Sequence, residues 1–252
     1  MANKIDLHTH TTASDGTLTP TELMAHAREL GLSTVAITDH GVMYGVIDFY
    51  RACKAKGVHP VIGCEVYLAP HSRFDRSYMN GEWHSHLILL CENMTGYRNL
   101  IHMVSLGFSE GFYMKPRIDM ELLRQHSEGL ICLSACLAGV IPRALAEGDM
   151  DGAYELCEQF LEIFDRDHFY LEVQDHGIDV QKKVNEGLFQ LADELNIGLV
   201  ATNDAHYLTK KDARIQDVLM SIQMGKTVDD PTRMKFETEE FYIKDADEMA
   251  AL

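Results

Sequence analysis

Two histidines one residue apart, His8 and His10, follow a short apolar run at 5–7. In extended backbone alternate residues share a face. Both imidazoles can therefore address one ion, and imidazole is the commonest side-chain ligand for transition metals. Asp15 follows in Ser14-Asp15-Gly16, a turn signal. The pairing of apolar run and donor then recurs along the chain. The run at 34–38 is followed by Asp39-His40, that at 61–68 contains Glu65, and that at 130–133 leads to Cys136. The run at 169–173 precedes Gln174-Asp175-His176, and that at 197–202 precedes Asn203-Asp204-Ala205-His206. His86 breaks the pattern, because it opens the run at 87–91 instead of closing it. A lone histidine or cysteine at a strand end is ordinarily a packed or solvated residue. A whole set of carboxylates and imidazoles at one end of one fold is costly unless cations neutralise it. The chemistry indicated is divalent metal binding, and closely spaced divalent ions hydrolyse phosphoesters. Zinc suits the His/Cys/carboxylate mixture best, with manganese or iron as alternatives.

Other side chains with chemical potential are more isolated. His176 is read as a contact to a phosphate or a support for the ligands, with simple packing as the alternative, and not as a ligand. Lys115 and Arg117, in Tyr113-Met114-Lys115-Pro116-Arg117, lie on a loop where they can hold a phosphate. His84 is an alternative to His86. His26, His59, His71, His102, His126 and His168 sit in helix or loop contexts and are read as surface or packing residues. Gly107-Phe108-Ser109-Glu110-Gly111 fits G-x-S-x-G but follows a helical pattern, so the strand-to-helix turn that motif needs is missing. Asn93-Met94-Thr95 is a glycosylation sequon without a secretory context.

Seven apolar runs (5–7, 34–38, 61–68, 87–91, 130–133, 169–173, 197–202) must position these donors, and longer amphipathic stretches separate them. That order is expected of successive βα units. Without a GxGxxG turn, and with donors after six of the seven runs, a barrel is favoured over a dinucleotide-binding sheet. The first helix is signalled by Thr19 as cap, Pro20 at its first position, Glu22 closing a capping box and Gly31 as stop. Further helices are expected at about 46–56, 97–106, 150–164 and 180–195, and 69–83 reads as an extended polar loop. No linker interrupts the chain, so residues 1–252 are expected to form one domain. Residues from about 237 onward can begin a further extension, since 248–252 reads as the first turn of a helix.

Composition agrees with an ordinary globular domain. Of 252 residues, 46% are hydrophobic and 24% charged, enough apolar mass for a core. No apolar run approaches the ~18 residues of a membrane span, and the N-terminus lacks a secretory pattern, so the cytoplasm is expected. Six scattered cysteines without a C-x-x-C pair indicate reduced thiols. A net charge of −17 excludes a protein that coats duplex nucleic acid. Bound cations focused at one site would offset part of this charge and concentrate positive potential where an anionic substrate enters.

The motifs Asp6-Leu7-His8-Thr9-His10, Thr38-Asp39-His40, Gly63-Cys64-Glu65-Val66-Tyr67, Leu133-Ser134-Ala135-Cys136 and Asn203-Asp204-Ala205-His206-Tyr207 resemble the polymerase and histidinol phosphatase (PHP) family. From about Gly41 onward the chain is similar in particular to the PHP domains that open bacterial DNA polymerase III alpha subunits. The opening, 5–23, is at least as similar to stand-alone PHP phosphoesterases acting on nucleotides and short nucleic acids. The resemblance implies a distorted (βα)7 barrel, TIM-like, with three metals and nine ligands: His8, His10, Asp15, His40, Glu65, His86, Cys136, Asp204 and His206. By the same resemblance His8, His10, Glu65 and Asp204 hold one metal, Glu65, His86 and Cys136 a second, and Asp15, His40 and His206 the third. Glu65 and Asp204 would then flank a metal-bridging hydroxide that attacks phosphorus. Cys136 and Asp15 stand where some relatives carry histidine. Two functions follow: a phosphoesterase, plausibly a 3′–5′ exonuclease on single-stranded DNA or nucleotides, or a catalytically weak module that braces a replicative polymerase body and docks its partner subunits.

Overall fold

The computed structural model describes residues 4–76 and 84–252. In chain order its elements are β1 (Ile5–Asp6), α1 (Pro20–Glu29), β2 (Thr34–Ile37), α2 (Val46–Lys56), β3 (His59–Leu68), β4 (Ser85–Cys91), α3 (Met94–Ser109), β5 (Arg117–Ile118), α4 (Met120–His126), β6 (Leu130–Leu133), α5 (Val140–Glu147), α6 (Met150–Phe164), β7 (Phe169–Val173), α7 (Asp179–Leu195), β8 (Gly198–Ala201), α8 (Ala213–Gln223) and α9 (Ala246–Ala250). The expected loop at 69–83 is a loop through Arg76, and its remainder lies outside the described residues.

Side-chain alternation along the strands decides what faces inward. Leu87 and Leu89 of β4 join the large cluster formed with α3 to α7, whereas Ile88 and Leu90 join Ala36, Leu133 and Ala135 in a separate small cluster. Cys64, Val66 and Leu68 likewise face the helices from β3, which leaves Glu65 and Tyr67 on the opposite face. The helices are laid over the outward set. On α7, buried Val184, Leu188, Leu191 and Leu195 recur at helical spacing, and α1 and α2 enclose a third cluster with Val35 and Ile37. α1 begins as expected: Thr19 Oγ1 accepts the Glu22 N–H and Glu22 Oε2 accepts the Thr19 N–H. Asn93, the sequon residue, caps α3 by accepting the N–H groups of Thr95 and Gly96.

The strands form one sheet in the order β1-β2-β3-β4-β6-β7-β8, with β5 added to β3. It curls until the segments beyond β1 and β8 meet, where Thr9 bridges Ala205, His10 N–H donates to Ala205 O and Ala205 N–H to His8 O. The result is the distorted barrel. Two features depart from seven regular βα units. β5 is an additional two-residue strand, too short to leave a periodic signal. β4 runs antiparallel to both β3 and β6. That reversal explains His86: the start of an antiparallel strand lies at the same barrel end as the finish of its parallel neighbours, and His86 sits opposite Tyr67 near the end of β3. Among the helices, α4, α5 and α8 are additional to those expected. α4 and α5 are short, and Pro142 in the first turn of α5 reads as a loop signal although a first turn tolerates it.

Thr38 ties the ligand-bearing ends together. Its hydroxyl accepts the Thr9 N–H and donates to the Thr9 carbonyl, both at 3.0 Å, in a fully buried setting. Thr38→Val keeps the shape but leaves the Thr9 N–H without that acceptor, and is expected to cost about 1–3 kcal/mol. Urea unfolding measures it, and a midpoint equal to that of the unaltered protein would show that the pair contributes nothing.

Candidate metal centre

Four donors from three segments, His8 and His10 after β1, Glu65 in β3 and Asp204 after β8, meet at one end of the barrel. His8 Nε2 and His10 Nε2 are 3.1 Å apart. Glu65 Oε2 lies 3.4 Å from the first and 3.3 Å from the second, and Asp204 Oδ1 lies 3.2 and 3.1 Å from them. A regular tetrahedron whose corners lie about 2.0–2.1 Å from its centre, the usual zinc distance to nitrogen or oxygen, has edges of about 3.3–3.4 Å. Five of the six separations among these atoms, 3.1–3.4 Å, match the edges of such a site, and all four atoms lie within 4.8 Å of one another.

Glu65 reaches a second cluster with its other oxygen. Oε1 is 2.9 Å from His86 Nδ1, and Cys136 Sγ is 3.8 Å from both atoms. A third cluster surrounds Asp15, whose carboxylate is 3.9 Å from His10 Nδ1, 3.5 Å from His40 Nε2 and 3.6 Å from His206 Nε2. His40 joins the clusters, since its Nδ1 is 2.8 Å from Glu65 Oε2. His8, His10 and Glu65 have no exposed surface. The centre opens instead over Asp15, His40 and His86, whose side chains are 31%, 15% and 16% exposed.

These residues fit divalent ions on an observation independent of any motif. His10 Nδ1, His40 Nδ1, Glu65 Oε2 and Asp204 Oδ1 are buried without a hydrogen-bond partner among the described residues. Such atoms are rare and expensive, and here four lie together among the candidate ligands. Electrostatics agree. Burial opposes charge on the histidines, yet Asp204, Glu172 and Glu65 raise His8 well above its ordinary value, and Asp204 and Glu65 raise His10 to about 10. Burial alone would raise Asp15, but His40, His206 and His10 lower it to about 2. Burial, then Glu65 and Asp204, push the Cys136 thiol up. Without metal the cluster balances its charge by holding protons where cations would bind, so metal binding displaces protons.

The surroundings fix the ring orientations. Glu172 Oε1 lies 2.6 Å from His8 Nδ1 and also accepts from Thr202 Oγ1 and Gln174 Nε2. A carboxylate only accepts, so Nδ1 carries a proton and Nε2 is the nitrogen turned to the cluster, free to ligate once a cation displaces its proton. The Asp204 carbonyl, 2.8 Å from His206 Nδ1, does the same for His206. Asp39 anchors the Asp15 turn by accepting from Thr11 N–H, Thr11 Oγ1 and Ser14 Oγ. Backbone strain marks the same places: Asp204 has φ +47° and Ala135, beside Cys136, has φ +65°, conformations non-glycine residues hold only when their surroundings impose them.

All nine expected ligands therefore converge. Glu172 and Thr202 escaped the sequence reading, and Asp39, named there beside His40 as a potential donor, instead anchors the Asp15 turn. For Glu172 the available signal was its place on the inward face of β7, two residues before Gln174. The remaining candidates lie elsewhere. His176 is fully buried, with Nε2 2.9 Å from Asn203 O, Nδ1 2.8 Å from Gln181 Nε2, and its ring stacked 3.9 Å from Phe241. Arg117 lies in strand β5 and not on the expected loop, is buried, and donates to Gly111 O and Asp75 O, so its guanidinium is spent on backbone carbonyls and not presented to a phosphate. Lys115 is exposed, its ammonium 5.1 Å from the Tyr67 ring centroid. His84 packs beside His86, 5.8 Å between centroids, and burial together with the neighbouring charges of His86, Lys115 and Arg143 lowers it to about 3.

Glu172→Gln retains the shape of the side chain but replaces an anion with a neutral amide beside His8. It is expected to weaken divalent metal binding by about 10–100-fold with the circular dichroism spectrum unchanged. Competition with a chromogenic chelator measures this, and unaltered affinity would show that Glu172 does not orient His8.

Comparison with known proteins agrees with this geometry. A family model described as "PHP domain" matches residues 6–176. The chain is 47% identical over 251 residues to DNA polymerase III subunit alpha of Treponema pallidum, covering 98% of this chain and 22% of that protein. It is 44% identical to the Thermus aquaticus subunit of the same name, covering 98% and 21%. The chain thus spans about a fifth of the length of the curated relatives it matches. Among solved structures, a predicted metal-dependent phosphoesterase from Bifidobacterium adolescentis superposes with TM-score 0.54 at 16% identity over 80% of this chain and 87% of that one. An amidohydrolase from Chromobacterium violaceum gives TM-score 0.52 at 18% identity over 82% and 88%. At such identities the two structures speak for the fold. Family model, barrel and ligand cluster coincide, and the chain belongs to the PHP domain family.

Proposed function

We propose that this chain is a metal-dependent phosphoesterase holding three divalent ions, zinc first, with manganese or iron as alternatives. The observation that carries the reading is Glu65, a buried carboxylate whose two oxygens face two different donor clusters. His8, His10, Glu65 and Asp204 would hold one ion, Glu65, His86 and Cys136 a second, and Asp15, His40 and His206 the third. Bound there, divalent ions would polarise a phosphoryl oxygen and lower the pKa of water enough for attack near neutral pH. The chain's own part is positional. Glu65 and Asp204 hold the reacting end of the site, Glu172 keeps Nε2 of His8 turned inward, and the opening over Asp15, His40 and His86 admits an anionic ester. The substrate is a phosphomonoester or phosphodiester. Relatives named DNA polymerase III subunit alpha support a 3′–5′ exonuclease working beside a polymerase in the cytoplasm. Among the described residues no helix is long and apolar enough to cross a membrane.

A second reading is favoured by one observation: the chain corresponds to only about a fifth of those relatives. In it the metal-bearing barrel braces the rest of a replicative polymerase and docks partner subunits without turnover.

Elemental analysis of protein purified without chelators is expected to find about three transition-metal ions per chain, and a stoichiometry near zero after metal supplementation would overturn the trinuclear assignment. Hydrolysis of nitrophenyl esters, nucleotides or single-stranded oligonucleotides should vanish with chelator, return with zinc or manganese, and be absent altogether under the bracing reading. Glu65→Gln leaves one bridging oxygen as an amide nitrogen that cannot ligate. It is expected to lose at least one metal and to lower hydrolysis by roughly 100-fold or more, beyond the usual effect of an outer support, while remaining folded. Retention of the full metal count and rate would remove Glu65 from the bridge.

A further inference from the structure

Two loops at the mouth of the centre carry side chains that the metal cluster does not use. The first joins β2 to α2 and is wedged between ligand segments. A Cβ on Gly41 would lie 2.8 Å from the Tyr67 ring and 3.0 Å from Pro116, and one on Gly45 would lie 3.1 Å from Asp39 Oδ2 and 3.2 Å from Ala13. Between those packed glycines Tyr44 projects with 73% of its surface exposed. The second loop, 111–117, abuts the first through Pro116. Its base is locked by β5 pairing with β3 and by Arg117, whose guanidinium lies 5.2 Å from the Tyr113 ring. Its tip is a tight turn in which Tyr113 N–H donates to Lys115 O at 3.1 Å and Met114 sits at φ +63°. Glycine suits such a position, and a non-glycine residue held there is strain that the surrounding structure must sustain. The turn presents Lys115 outward. Its ammonium lies 5.1 Å from the Tyr67 ring, which is itself 5.4 Å from His86 and 5.9 Å from His40. One aromatic ring therefore separates this cation from two ligands at the open side of the centre.

We propose that Lys115 and Tyr44 form a subsite for the nucleotide next to the scissile phosphate, Lys115 binding its phosphate and Tyr44 stacking on its base. A cation paired with an exposed aromatic face is how sequence-independent single-strand sites hold their ligand, and in a chain of net charge −17 a placed ammonium at the mouth has a local purpose. The proposal rests on the phosphoesterase reading and assigns that site a preference for linked nucleotides over small esters.

The test is binding of a fluorescent, phosphorothioate-linked oligothymidylate to the metal-loaded protein, followed by anisotropy over a salt series. Lys115→Met is expected to weaken binding roughly five-fold at low salt and to flatten the log–log salt slope by about 0.7, with Lys115→Arg restoring both. Tyr44→Ala is expected to weaken binding roughly five-fold or more with the slope kept. Both side chains are exposed, and circular dichroism verifies folding. No binding by the unaltered protein, wild-type affinity in either variant, or an unchanged slope in Lys115→Met overturns the subsite. Absence of hydrolysis on every phosphoester would instead defeat the enzymatic reading while leaving this binding measurement interpretable.

Discussion

A carboxylate with no exposed surface, placed among four imidazoles, is the group around which the ligand end of this barrel is arranged. Glu65 faces His8, His10 and His40 with one oxygen and His86 with the other. A buried anion is tolerable only when paired or coordinated. Every neighbour of Glu65 is a group that carries positive charge when protonated or donates a lone pair when a cation is present. The same arrangement is thus balanced by protons in one state and by metals in the other. Sharing of Glu65, His10 and His40 between clusters means that charge entering one cluster is felt at the next.

The barrel is bent to serve this carboxylate. Parallel strands deliver His8, His40 and Asp204 from loops beyond their ends, whereas β4 runs the other way and delivers His86 from its start. Reversal keeps the ring beside β3, where Glu65 and Tyr67 face inward, and His86 N–H is held by Ala138 O at 2.9 Å. Strained backbone at Ala135 and Asp204 lies where the chain must turn sharply to aim a donor. A regular strand-to-helix passage would carry those side chains past the centre.

Most of the candidate donors were legible because they stand within, or a few residues after, an apolar run, while Asp15 was read from its turn and His86 only as an exception. Convergence at one barrel end followed from ordinary βα topology, and family resemblance divided the nine donors among three metals. The direction of β4 was not legible, since an apolar run carries no sign of polarity along the chain. Only the misplacement of His86 hinted at it. β5 escaped because two residues leave no period, and α5 because Pro142 reads as a breaker wherever it falls. Glu172 escaped for a different reason: in sequence it is one acid in a strand, and its role exists only once Thr202 and Gln174, from another strand and another turn, point it at His8. Sequence spacing identifies donors more readily than the groups that hold donors still.

The meeting of Thr9 with Ala205 has a consequence for how the chain reaches this structure. It joins segments near the two ends of the chain, and the neighbouring contact of Thr17 with His206 spans 189 residues. Contacts of such separation are entropically late and slow folding. Until the segment 203–206 emerges and closes the barrel, β1 and β8 are the two open edges of the sheet, able to pair with other chains. On the proposed assignment, an ion held jointly by His8, His10 and Asp204 would clip those two edges together, so metal supply during synthesis would set how long they stay open.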